Sequence, residues 1–266
     1  MFIKNINKKV IFRYGLKKES ISFFLFSSLT LIFVLLYKNY INDNIISALL
    51  IFFVIIFGLP HGALDTLVAK HYKIYSNRKQ FFIFYFLYIV CACTVFIGWN
   101  YFSIFSLYIF LLISGIHFSA DWKNTGLNKA EEFTLGFSLL NFPIIFHQKE
   151  VKIIYEFITN KESFYGLVEL QLIVAYINLL LMIVLLLRRF VDKNILIQVL
   201  SIFIFSYVLT PILFFITYFC FFHSIKNYNE SLNLLKKHQK SKVRSVIFFN
   251  TIITCLIGIF IFMFFF

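Results

Sequence analysis

The sequence predicts an all-α, polytopic integral membrane bundle of seven or nine transmembrane helices with a cytoplasmic N-terminus. Three observations carry that expectation. Hydrophobic residues make up 61% of the chain and charged residues 14%, with a mean hydropathy of +0.86, outside the range of soluble domains. The apolar residues fall in long runs, interrupted by only three prolines and nine glycines. In lipid the backbone must satisfy its own hydrogen bonds, so such runs default to helix. Finally, the basic residues lie outside the apolar cores and cluster in alternate loops.

In chain order the apolar runs are 20–37, 44–60, 81–98, 101–120, 133–146, 168–187, 195–208, 210–225 and 246–265. Most approach the ~17–25 residues that a spanning helix needs. The whole chain, 1–266, reads as a single transmembrane domain. Residues 1–19 form a basic cytoplasmic segment, and the run behind them lacks a small-residue cleavage site, so the first helix is expected to stay in the mature protein. Residues 226–245 read as a basic cytoplasmic loop, or a short amphipathic helix, lying on anionic headgroups. Cys91, Cys93, Cys220 and Cys255 all sit inside apolar runs without zinc-type spacing, so neither disulfides nor a thiolate metal site are expected.

Orientation follows from the charges. With the N-terminus inside, 21 of the 25 Lys and Arg residues fall on the cytoplasmic side and four outside. The run 133–146 is short for a span, and 195–222 can be read as one tilted helix; that gives seven spans with the same tally. The basic pI of about 9.5 therefore reports topology and affinity for anionic lipid rather than nucleic-acid binding. A multi-pass protein of the bacterial inner membrane is the expected setting.

Three histidines stand at the ends of apolar runs, each with a polar residue one helical turn later: His61 with Asp65, His117 with Asp121, His223 with Asn227. In both topologies their helices run from outside to inside, so the three arrive at a similar depth on different helices. Facing helices build metal sites in this way. For any single histidine a hydrogen-bonded interfacial residue is the simpler reading, but the shared spacing and depth favour one site. His71 and His238 fall in basic loops, and His147 lies on the outer side in the nine-span arrangement. These three are left out of the site.

The surrounding residues carry a resemblance. Gly58-Leu59-Pro60-His61-Gly62-Ala63-Leu64-Asp65, Gly115-Ile116-His117-Phe118-Ser119-Ala120-Asp121-Trp122 and Tyr218-Phe219-Cys220-Phe221-Phe222-His223-Ser224 are similar to the three signature segments of the Brp/Blh family of membrane β-carotene dioxygenases. Their order and long intervals also resemble that family, over about residues 44 to 230. The resemblance implies iron- and O2-dependent cleavage of the central 15,15′ double bond of β-carotene to two molecules of retinal, which usually serve a microbial rhodopsin. It further implies that His61, His117 and His223 are Fe(2+) ligands and catalytic residues.

The family's fourth histidine is replaced here by Asn227. An amide oxygen is a weaker and harder iron ligand than imidazole. Asn227 could bind through that oxygen, three histidines could hold the iron with water in the vacancy, or the site could have become a binding site without metal. Histidine itself suits iron in an oily setting, because neutral nitrogen ligands add no buried negative charge and a bond to the second ring nitrogen fixes the tautomer. Asp65 and Asp121 are the candidates for that supporting role; helix-end carboxylates facing water are the alternative. Gly58, Gly62 and Gly115 read as small-residue packing between helices, with Pro60 producing a kink.

β-Carotene is about as long as a bilayer core is thick and can enter from lipid. Some of the 39 phenylalanines and 15 tyrosines could line a tunnel for such a substrate, but most must face lipid or neighbouring helices. No Gly-rich dinucleotide or phosphate loop is present. A rhodopsin would need a lysine inside a late helix, and no apolar core contains one; a di-iron membrane desaturase displays many more than six histidines. The remaining alternatives are a catalytically altered carotenoid- or retinoid-binding membrane protein, which Asn227 favours, and a proton-coupled transporter, against which the absence of an internal repeat speaks.

Overall fold

A computed structural model describes residues 18–37, 52–58, 63–123, 125–160, 165–189, 192–235 and 240–265, and among these every regular element is helical. The all-α expectation holds. Helix α1 (Lys18–Leu36) is followed by a π-helical turn, Val54–Gly58, and a short helix α2 (Asp65–His71). Next come α3 (Arg78–Tyr101) and α4 (Ser103–Ser119), the latter tightening into a 3-10 turn at Ala120–Trp122. Then follow α5 (Lys129–Phe146), α6 (Gln148–Thr159), α7 (Tyr165–Arg189) and α8 (Lys193–Val208). Helix α9 (Pro211–Tyr218) runs through a π segment, Phe219–His223, into α10 (Ser224–Leu234), and α11 (Lys240–Phe265) completes the described chain.

Among the described residues, four helical stretches are long and apolar enough to cross a membrane: Lys18–Leu36, Arg78–Tyr101, Ser103–Trp122 and Gly166–Arg188. Helix α3 has no buried residue along its length and touches the rest of the bundle mainly through α4 and the Trp99 indole, which donates to the Ile158 carbonyl at 2.9 Å. The opposite case is α5, which covers the run 133–146. It begins with a capping box, in which Asn128 Oδ1 accepts from the Glu131 amide and Glu131 Oε2 accepts from the Asn128 amide, both at 2.9 Å. From there Leu135, Leu139, Phe142 and Ile144 are buried against α4, α7 and α8. The run that looks short for a span is therefore the central helix of the bundle, and its polar first turn pairs with Lys129 and Arg188.

Helices α4 and α5 approach closely through small residues. A Cβ on Gly136 would collide with Ser119 Oγ, with Ser119 N at 2.5 Å and with Gly115 O at 2.6 Å. Small residues that let backbones touch are the usual device of helix association in lipid, where no hydrophobic force separates protein from solvent. Gly115 lies on the same seam beneath the Phe137 ring, so its role is packing.

Two open sequence readings are resolved here. Residues 195–222 are not one long helix: the chain is extended at Leu209 and Thr210, and Pro211, which has no amide hydrogen to donate, starts a new helix at its first position. For 226–245 the structure selects the helical one of the two readings over the loop. Helix α10 carries on to Leu234 and α11 starts at Lys240, leaving only 236–239 outside the described residues. Leu235 and Val243 are buried against Leu64, which gives these basic segments the apolar contact that keeps them helical.

Candidate metal centre

His117 lies near the end of α4, and His223 closes the π segment after α9. Although 106 positions apart in the chain, their Nε2 atoms face one another at 3.2 Å. A π turn inserts one residue into the helical repeat and re-aims the side chains around it, which is why such turns mark functional sites. Here it places Tyr218 and His223 on the same partner. Asp121 Oδ2 accepts from the Tyr218 hydroxyl and lies 2.8 Å from His223 Nδ1.

The carboxylate thus supports the histidine of the neighbouring helix rather than His117, one turn before it on its own. The 3-10 turn at Ala120–Trp122 accounts for this by breaking the α-helical phase between His117 and Asp121. With Nδ1–H donated to a carboxylate, the His223 Nε2 lone pair is directed at His117. Two imidazole nitrogens held side by side on one first-row metal ion, at about 2.1 Å each, are separated by about 3.0–3.4 Å. The observed pair falls within that interval, and both donors are of the type that binds iron.

Asn227, one turn after His223, does not present its oxygen to this pair. Its Nδ2 donates to Asp121 Oδ1 at 3.3 Å and to the His223 carbonyl at 3.1 Å, and it lies 3.2 Å from His223 Nδ1. Both strong partners are pure acceptors, which fixes the amide orientation chemically. Asn227 and Tyr218 together therefore hold the two oxygens of Asp121.

His223 is 1% exposed and Asp121 2%, whereas His117 is exposed on the flank of α4 between Ile113, Ile116 and the interior. Around His223 the Phe219 ring stacks at 5.5 Å and 19°, and Phe118 meets it edge-on at 5.2 Å. Trp122 lies beside Tyr218 and Phe222 and donates to Gln198 Oε1 at 2.8 Å, while Gln198 Nε2 donates to Ser20 Oγ at 2.6 Å. The centre is thereby tied to α8 and α1.

His61, with Pro60 and Gly62, lies outside the described residues. The π turn Val54–Gly58, which ends three positions before it, packs on the His223 segment through Phe53 and Phe57, whose rings lie 5.4 Å and 5.1 Å from that of Phe221. Leu64, three positions after it, packs with Leu235, Tyr228 and Leu232. Asp65 opens α2 with its side chain partly open to solvent, while desolvation raises its carboxyl pKa above the usual value. Of the other histidines, His147 bonds the Tyr207 carbonyl at 3.0 Å and His71 ends α2, both apart from the pair, while His238 is outside the described residues.

Tyr218, Gln198 and Trp122 were not singled out from the sequence. Tyr218 stands five positions before His223, a spacing that leaves two residues on different sides of a regular α-helix; only the π turn joins them on Asp121. Gln198 alone carried a signal, as an uncharged polar residue inside the run 195–208.

Comparison with known proteins gives a separate line of evidence. Residues 52–266 match the family of beta-carotene 15,15'-dioxygenases. A protein named beta-carotene 15,15'-dioxygenase, from the uncultured marine bacterium 66A03, is 28% identical over 198 residues, covering 71% of this chain and 70% of that protein. No solved structure matches. Since the family match takes in everything from the first π turn through His117 and His223 to the C-terminal helix, the chain belongs to the beta-carotene 15,15'-dioxygenase family.

Proposed function

We propose that this chain cleaves the central 15,15′ double bond of β-carotene in an iron- and O2-dependent reaction, releasing two molecules of retinal for a microbial rhodopsin in the bacterial inner membrane. The observation that carries the reading is the meeting of His117 Nε2 and His223 Nε2 at 3.2 Å, with Asp121 behind His223. His61 is assigned as the third ligand, because described residues on both sides of it pack along the helix that carries His223. Fe(2+) bound there would supply the oxygen chemistry.

The chain's own residues do the rest. Asp121 orients the His223 ring and keeps its proton on Nδ1, leaving Nε2 as a donor. Phe118, Phe219 and Tyr218 exclude water from the His223 side. His117, with Ile113 and Ile116 exposed beside it, leaves the opposite side open toward lipid, where an apolar polyene is dissolved. Asn227, occupied by Asp121 and the His223 carbonyl, positions that carboxylate and is not the fourth iron ligand.

Expression in a β-carotene-producing bacterial host, with retinal and residual carotene quantified, tests the reading. Retinal is expected from the unmutated chain and not from His117→Ala or His223→Ala. If neither the unmutated chain nor Asn227→His yields retinal while both are well expressed, a binding or transport role replaces the proposed one.

A further inference from the structure

A cavity of about 540 Å³, with neither His117 nor His223 in its lining, lies between α2, the start of α3 and α11. Lys70 and Arg78 line it with exposed side chains, and neither forms an ion pair among the described residues. Its other wall is aromatic. Tyr75 is buried, anchored by its hydroxyl on the Thr66 carbonyl at 2.8 Å, and its ring meets Phe81 at 5.2 Å; Phe81 in turn meets Tyr85 at 4.6 Å. Two cations beside aromatic rings, at the start of a helix that has no buried residue, form a surface with one charged and one oily half.

We propose that this cavity binds an anionic phospholipid, its phosphate between Lys70 and Arg78 and an acyl chain running along α3 past Phe81 and Tyr85. Charge complementarity selects the occupant: the chain carries a net charge of +13, and basic pockets between membrane helices are suited to acidic headgroups. Tyrosine rings at the boundary suit the interfacial layer that the headgroup occupies. A free phosphate would meet the two cations but would leave the aromatic wall without an apolar partner. The site is independent of the proposed reaction, because neither basic residue belongs to the histidine centre.

The full-length protein would be equilibrated with mixed vesicles of phosphatidylcholine and phosphatidylglycerol, and the lipid retained on it counted by native mass spectrometry. Each basic side chain near an acidic headgroup contributes about fivefold, so the two together give a preference of about 25-fold for phosphatidylglycerol. Lys70→Gln/Arg78→Gln should bring that preference close to parity. Lys149→Gln/Lys193→Gln, which removes the same charge from two other exposed positions, should leave it intact. The proposal is overturned if the unmutated chain shows no preference, if the cavity variant keeps it, or if the control variant loses it equally. Displacement of the retained lipid by millimolar inorganic phosphate would also overturn it, by making the site one for free phosphate.

Discussion

His117 Nε2 and His223 Nε2 lie 3.2 Å apart, and only His223 has a carboxylate behind it. Two nitrogen lone pairs aimed at each other repel unless a proton or a cation lies between them. Asp121 fixes the His223 proton on the far nitrogen, so the nearer one stays an acceptor. A protonated His117 Nε2 can fill the gap in the metal-free protein, and a metal ion can replace that proton. On the proposed reading, the His223 Nε2 lone pair is the one offered to the metal.

Removing either imidazole should therefore cost metal before it costs fold. His117 is exposed, so His117→Ala leaves no large internal void, whereas His223→Ala empties a position that is 1% exposed. Both variants should lose stoichiometric iron and all detectable retinal formation, and only His223→Ala should also lower thermal stability, by about 1–3 kcal/mol. Iron content of the purified proteins, read beside their melting transitions, checks both. Wild-type iron content in either would remove the shared centre.

Asp121 and Tyr218 form a graded pair. Asp121→Asn keeps the shape but removes the charge that holds the His223 proton, and losses of this kind cost about 10–100-fold in metal affinity. Tyr218→Phe removes one donor to Asp121 while leaving the carboxylate in place, so its loss should be about tenfold or less. Titration with Co(2+), followed by its visible absorption, gives the two affinities without recourse to turnover. An order reversed from this would mean that Tyr218 has a role other than supporting Asp121.

The helices were legible in the sequence because they depend on local pattern, and the structure brings two of the three singled-out histidines, His117 and His223, together. The run 168–187 reappears inside α7 and 81–98 inside α3, since twenty apolar residues in lipid have few alternatives to helix. What spacing could not carry was phase. The pairing of His117 with Asp121 assumed an unbroken α-helix, and the 3-10 turn at Ala120–Trp122 redirects that carboxylate to His223. Tyr218 was invisible for the converse reason, a π turn that joins positions an α-helix would separate. The central place of α5 was hidden as well: hydropathy reads composition, and a helix buried by other helices looks like a poor membrane span.

The seam between α4 and α5 yields a stability prediction with an internal control. A methyl at Gly136 meets backbone atoms of Ser119 and Gly115, which cannot move without separating the helices; a methyl at Gly115 meets only the Phe137 ring, which can rotate away. Gly136→Ala should destabilise by about 1–3 kcal/mol, and Gly115→Ala by less. Because Ser119 is two residues from both His117 and Asp121, Gly136→Ala should also reduce metal retention. Comparative melts in one detergent decide the order.

Asn227 distinguishes the two ways of completing the site. If its amide serves Asp121, as the 3.3 Å bond to Oδ1 suggests, Asn227→Leu should weaken metal binding about tenfold while retinal remains measurable, since the histidine ligands persist. An amide acting as an iron ligand predicts something different: Asn227→Leu would remove a coordination position, and Asn227→Asp would restore it with a stronger oxygen donor. On the positioning account Asn227→Asp is the more damaging change, because a second carboxylate facing Asp121 replaces a hydrogen bond with like-charge repulsion. Co(2+) affinity of Asn227→Leu and Asn227→Asp, measured side by side, separates these accounts: Leu above Asp assigns Asn227 to the support of Asp121, and Asp above Leu assigns it to the metal.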